Sequence, residues 1–67
     1  MEYPKGERVW TSYRSLSGEL RFIVTSKPTR DAYFLYEFLE GAFKKLGKAK
    51  SPLELEEKFN INDRLMT

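Results

Sequence analysis

The side chains of this sequence that could do chemistry are carboxylates, hydroxyls, lysines and arginines. Its 67 residues include no histidine and no cysteine. Histidine is the commonest general base, and a Ser-His or Cys-His nucleophile pair needs at least one of these two residue types. They are also the usual ligands of transition metals. The composition therefore predicts a protein that is not an enzyme and that has no catalytic residues and no metal site.

Three glutamates form the densest group of carboxylates. Glu54, Glu56 and Glu57 lie in a predicted helix, where their spacing spreads them around the axis so that they do not converge on a cation. The sequence contains neither a G-x-G-x-x-G motif nor the P-loop motif by which nucleoside triphosphatases bind phosphate. A chain of this length also has little room for an enclosed pocket. We expect no cofactor and no small-molecule ligand.

The first predicted hairpin carries basic and aromatic side chains, which suit contacts with nucleic acid when they share one face. A hairpin loop of two or four residues pairs Tyr13 with Phe22 or Leu20 and gathers four basic or aromatic side chains of the two strands on the outer face: Arg8, Trp10, Arg14 and Arg21. A three-residue loop with Gly18 in a left-handed bulge turns Trp10 inward, and that surface is lost. We favour the first register, because it collects the larger apolar set on the buried face: Val9, Tyr13, Leu20, Phe22 and Val24.

Four lysines extend this basic surface. Lys44, Lys45, Lys48 and Lys50 cluster around the end of a predicted long helix. Positive charge there opposes the negative end of the helix dipole, and the same side chains can contact phosphate or an acidic protein. We include them among the candidate nucleic-acid contacts.

The elements that carry these residues are a hairpin and two helices. Residues 7–25 are rich in aromatic and β-branched side chains, with Ser17 and Gly18 as a turn signal, and predict two antiparallel strands. Residues 29–46 carry apolar side chains at helical spacing, and Gly47 suits a helix terminus. Pro28 and Thr29 suit the start of this long helix.

A second, shorter helix is predicted over residues 52–60. Ser51 is placed as its N-cap, Pro52 as its first residue and Glu54 three residues after the cap. Residues 61–67 are expected to fray or to add a short strand. The expected fold is an α+β single domain over residues 1–67, with a two-stranded hairpin packed on one long helix and followed by a short helix.

The predicted long helix has more aromatic surface than one hairpin covers. Phe34 and Phe38 are displaced from its main apolar face by roughly a third of a turn or more. Together with Tyr33 they form a candidate interface for a protein partner or a second copy of the chain. The leading hypothesis is a non-catalytic interaction or regulatory module that associates through this face, and nucleic-acid binding is the alternative.

The composition limits where such a module would work. No apolar run approaches the ~20 residues that span a bilayer, and the first residues lack the apolar segment of a signal peptide. We therefore expect a cytoplasmic protein without a membrane partner. The net charge of +2 is too small to identify a nucleic-acid binder by composition. Hydrophobic residues make up 40% of the chain, which suits a folded domain.

Overall fold

The computed structural model describes residues 3–27 and 29–66, which form a four-stranded antiparallel sheet followed by two short helices. Each strand pairs with the next one in sequence, so the sheet order is β1-β2-β3-β4. The strands are β1 (Arg8–Arg14), β2 (Leu20–Ser26), β3 (Tyr33–Leu39) and β4 (Ala42–Ala49). The helices are α1 (Pro52–Lys58) and α2 (Ile61–Leu65).

The predicted long helix over residues 29–46 is wrong, because β3 and β4 occupy this part of the chain. Leu39 pairs with Ala42 across a two-residue turn. The turn residues Glu40 and Gly41 both have positive φ, at 49° and 80°. Positive φ at both central positions is what a type I′ hairpin turn requires. The fold is therefore a β-rich α+β fold and not a hairpin on one long helix.

The misleading pattern has a physical origin in the position of β3. This strand lies between β2 and β4, and Phe34, Leu35 and Tyr36 are all buried although they point alternately to opposite faces of the sheet. A strand buried on both faces is apolar at successive positions, so it contains matches to a helical period as well. Pro28, which was part of the predicted helix start, lies outside the described residues.

The first predicted hairpin is present as β1 and β2, and its register combines the two alternatives. Its loop is the three-residue type, with the Ser15 N–H donating to the Glu19 carbonyl at 2.8 Å and Gly18 at a φ of 89°. A bulge at Arg21 then adds one residue to β2, so Tyr13 pairs with Phe22. A second bulge at Trp10 lies between the pairs that Val9 and Thr11 form with β2.

One face of the sheet, the helix face, packs against α1 and α2. Its buried core consists of side chains from the sheet and from both helices: Phe22, Val24, Leu35, Leu55 and Ile61. Helix α1 begins as predicted, because the Ser51 hydroxyl accepts a hydrogen bond from the Glu54 N–H at 3.2 Å. It ends at Lys58, and α2 replaces the predicted short C-terminal strand.

The other face, the arm face, is covered in part by residues 3–7, which we call the arm. Tyr3 stacks on Phe43 with ring centroids 5.2 Å apart. The Glu7 carboxylate accepts hydrogen bonds from the Thr25 hydroxyl at 2.5 Å and from the Tyr36 hydroxyl at 2.9 Å. Ile23 and Phe34 are buried on this face together with Thr25 and Tyr36. The central strands are therefore covered on both sides.

The two helices are short. Within residues 3–27 and 29–66, neither is long and apolar enough to cross a membrane.

Candidate protein-interaction edge

The sheet has two edges, formed by β1 and β4, and their side-chain chemistry differs. The central residues of β1, 9–13, carry no charge. In contrast, β4 carries Lys44, Lys45 and Lys48 along its length. Lysine on an edge strand discourages the addition of another strand, because pairing would desolvate its charge. The edge of β4 is protected in this way, and the centre of β1 is not.

Trp10 is the most prominent side chain of the β1 edge. It is the extra residue of the bulge, and 60% of its surface is exposed. Its ring contacts Tyr33 edge to face, with centroids 5.6 Å apart and an interplanar angle of 69°. This contact holds the indole against the helix face and leaves most of it in solvent. Exposed Trp side chains of this kind are typical energetic centres of protein interfaces.

Val9 adds an apolar contact on the opposite face of the same edge. It pairs with Thr25, whose side chain is bonded to the arm, and 43% of its surface is exposed. Because Val9 points to the arm face and Trp10 to the helix face, the two side chains flank the edge. An added strand would contact both.

Tyr13 anchors the far half of β1 to the helical layer. Its hydroxyl donates a hydrogen bond to a carboxylate oxygen of Glu56 in α1 at 2.9 Å. Burial, together with this hydrogen bond and the negative charge of Glu56, raises the pKa of Tyr13 well above its usual value. One end of β1 is thus held to α1 by Tyr13. The other end follows Glu7, which is hydrogen-bonded to β2 and β3.

The arm contact perturbs a second tyrosine. Burial of Tyr36, the hydrogen bond to Glu7 and the charge of that carboxylate raise the pKa of the Tyr36 hydroxyl to about 12. Tyr36 therefore stays protonated, and remains a hydrogen-bond donor to Glu7, over the whole neutral range. Sequence reasoning did not single out Glu7, because its partners lie 18 and 29 residues away along the chain.

The structure does not gather the predicted nucleic-acid residues into one surface. Arg8 and Trp10 are exposed at one end of β1, whereas Arg14 lies at the other end with its guanidinium bonded to the Gly18 carbonyl at 2.9 Å. Arg21 is the bulged residue of β2 and is half-buried. The expectation that these four share one outer face is wrong. Each bulge adds one residue to its strand, so the residues on either side of it no longer point to the faces that regular alternation would give them.

The four predicted lysines are also divided. Lys44 lies opposite Glu37 on β3, and Lys48 lies opposite Phe34. The ammonium group of Lys45 lies 4.5 Å from the centroid of the Phe34 ring, a cation–π contact on the arm face. Lys50 follows β4, and its backbone N–H donates to a carboxylate oxygen of Glu54. Three of these lysines lie in the edge strand β4 and the fourth directly follows it, so they do not cluster at the end of a long helix as predicted.

The predicted aromatic helix interface does not exist as a helix face. Phe34 is buried in the core of the arm face, and Phe38 packs there on Phe43 with centroids 5.0 Å apart. Tyr33 points to the opposite side, where it packs against the helix-face core and contacts Trp10. The three residues are separated because successive strand residues alternate between faces.

A concavity of about 890 Å³ lies between α1 and the adjoining ends of β3 and β4. Its rim carries three acidic and three lysine side chains: Asp31, Glu54, Glu57, Lys48, Lys50 and Lys58. This balance of charge favours no class of ligand. Within residues 3–27 and 29–66, no three carboxylates are arranged to hold a metal ion.

Comparisons of the chain with protein-family models, with curated proteins and with solved structures found no match.

Proposed function

We propose that this protein is a non-catalytic interaction module that binds an extended segment of a protein partner by strand addition along β1. The observation that carries the proposal is the β1 edge itself. Its central residues are uncharged, and Trp10 stands 60% exposed beside the unpaired backbone. In strand addition, main-chain hydrogen bonds provide affinity and side-chain contacts provide specificity.

The bulge at Trp10 is compatible with this mode of binding. A bulge interrupts the regular backbone ladder locally, so it can protect an edge as well as redirect a side chain. Here it occupies one end of the strand, and Thr11, Ser12 and Tyr13 continue the regular pairing with β2. A partner segment would pair with this regular stretch, and the indole of Trp10 would pack beside it.

A display selection with random ten-residue peptides tests the proposal. Trp10 is the only tryptophan of the chain, so its fluorescence reports binding at the edge directly. We expect bound peptides to shift the Trp10 emission to shorter wavelength and to perturb the backbone amide resonances of β1. Removal of the anchor in Trp10→Ala should weaken binding by about tenfold or more.

Leu53→Ala is the matched control. Leu53 is also apolar and 61% exposed, but it lies on α1. The Leu53→Ala variant should bind the selected peptides with the same affinity as the unchanged protein. The proposal fails if no peptide is enriched, or if the enriched peptides perturb β4 or the helices and leave β1 and Trp10 unchanged.

Nucleic-acid binding is the second candidate, favoured by the joint exposure of Arg8 and Trp10 at one end of β1. An aromatic side chain can stack on a base beside a phosphate contact. A fluorescence titration with single-stranded oligonucleotides tests it, and the affinity should fall steeply with added salt. Absence of binding at low salt would remove this candidate.

The cytoplasmic location remains a proposal. It rests on the cysteine-free sequence, which needs no oxidising compartment to fold. Fractionation of cells that contain a tagged copy tests it.

A further inference from the structure

We infer that the partner segment has an uncharged centre and acidic residues at both ends, and that it belongs to another protein. The inference rests on the proposed function, since it names the chemistry of the segment that adds to β1. Its basis is the distribution of charge along this strand. Arg8 and Arg14 are exposed at the two ends, and the residues between them are neutral.

Two acidic side chains beside β1 are already engaged within the fold. Glu7 accepts hydrogen bonds from Thr25 and Tyr36 on the arm face. Glu56 accepts one from Tyr13 on the helix face. These carboxylates therefore satisfy hydroxyl groups within the fold. Arg8 and Arg14 are both exposed, and although one nitrogen of Arg14 donates to the Gly18 carbonyl, its other donors are open to an incoming acidic residue.

The spacing of the arginines sets the length of the segment. Six residue steps separate Arg8 from Arg14, which is about 20 Å along an extended strand at ~3.3 Å per residue. Acidic residues five or six positions apart in the partner would reach both. Charges at the rim of an interface act chiefly on association and on partner choice, so they would select the segment while Trp10 anchors it.

A second copy of the chain fits this edge poorly. If two β1 strands paired antiparallel over their full length, Arg8 of one copy would lie beside Arg14 of the other at both ends. The two guanidinium groups would project to opposite faces, but each end of the pair would hold two positive charges and no acidic residue from either β1 strand. The edge thus discriminates against itself and favours a segment of opposite charge.

Three display libraries test the inference. They share a random five-residue centre and differ at the flanking positions, which are Asp or Glu, Lys or Arg, and Asn or Gln. We expect enrichment from the acid-flanked library, with binding roughly tenfold tighter at low salt than that of lysine-flanked peptides with the same centre. This preference should shrink as salt screens the rim charges.

A charge reversal provides the matched variant. The double substitution Arg8→Glu and Arg14→Glu should transfer the preference to lysine-flanked peptides. Circular dichroism checks that this variant folds, and if it does not, the neutral pair Arg8→Gln and Arg14→Gln replaces it and should abolish the preference.

The possible failures are distinct. Equal enrichment from all three libraries, or a preference for basic flanks, overturns the inference and leaves strand addition intact. Enrichment from none of them overturns the proposed function as well. A dimer in sedimentation velocity that Trp10→Ala dissociates would identify the second copy as the occupant and overturn the acidic-partner inference.

Discussion

On the helix face of the sheet, Leu55 and Ile61 pack on the side chains of β2 and β3, whereas on the arm face a carboxylate receives two hydroxyl groups. The first arrangement depends on apolar contact over a large area, which is not directional. The second depends on a few directional hydrogen bonds to a charged acceptor. The comparison teaches how so short a chain covers both faces of its central strands: two helices cover one face, and five residues contribute to covering the other.

Leu55→Ala should produce the largest loss of stability and locate it on the helix face. Leu55 is fully buried against residues of β2, β3 and α2. Removing such a side chain costs about 2–5 kcal/mol, because burial is lost and a cavity remains. Urea denaturation measures the change. Leu53→Ala on the same helix, at an exposed position, is the control and should change stability by less than about 0.5 kcal/mol. Equal effects of the two would contradict the assignment of the core.

Glu7→Gln should have the next largest effect and tests the arm face. An amide oxygen accepts less strongly than a carboxylate, and the amide nitrogen cannot accept from Thr25 or Tyr36 at all. We expect a loss of about 1–3 kcal/mol in the free energy of unfolding. Glu19→Gln, in the exposed hairpin loop, is the matched control. If the two variants are equally stable, the arm does not stabilise this face.

The contrast between the faces also explains what the sequence could predict. Helix α1 follows from Ser51, Pro52 and Glu54, whose capping interactions are complete within four residues. The turn at Glu40 and Gly41 lacks the Asn-Gly or Asp-Gly pair that commonly marks such a hairpin. Without that signal, the doubly buried β3 and the lysine-bearing β4 matched a helical period. Local chemistry was sufficient for α1, and long-range pairing decided β3 and β4.

The candidate site was predictable only in part, for a similar reason. Trp10 and Arg8 were singled out from the first strand, and both are exposed. The status of β1 as the unprotected edge required knowledge of the sheet order, which the sequence does not reveal. Trp10 lies on the face of Phe22 and Val24, the side to which a three-residue loop directs it, but it stands at the sheet edge and 60% of its surface is exposed. Neither the bulge at Trp10 nor the one at Arg21 carries a glycine that would have indicated it.

Alkaline pH should weaken both faces through Tyr36 and Tyr13, whose pKa values are raised in the folded protein. In the folded protein the pKa of Tyr36 is about 12, compared with 10 for an unperturbed tyrosine. Above pH 10 the unfolded chain therefore loses this proton first, and the free energy of unfolding falls until the folded state also ionises near pH 12. The slope for one such group is at most about 1.4 kcal/mol per pH unit.

Urea titrations at successive pH values measure that slope. Tyr36→Phe should make this slope with pH shallower. The missing hydrogen bond to Glu7 should also lower the free energy of unfolding by an amount that does not depend on pH. Tyr13→Phe should also make the slope shallower, since burial and Glu56 raise the pKa of Tyr13 as well. An unchanged slope in Tyr36→Phe would show that this tyrosine ionises alike in both states.

Trp10→Ala should have the smallest effect on stability, about 0.5 kcal/mol or less, and it separates the edge from both faces. The indole is mostly in solvent, and its main fixed contact in the described chain is with Tyr33. Urea denaturation of this variant beside Leu55→Ala measures the contrast. A loss above about 1 kcal/mol would assign Trp10 a role in the fold. A small loss, combined with loss of peptide binding, would mean that the largest exposed side chain of β1 serves a partner, because the fold does not depend on it.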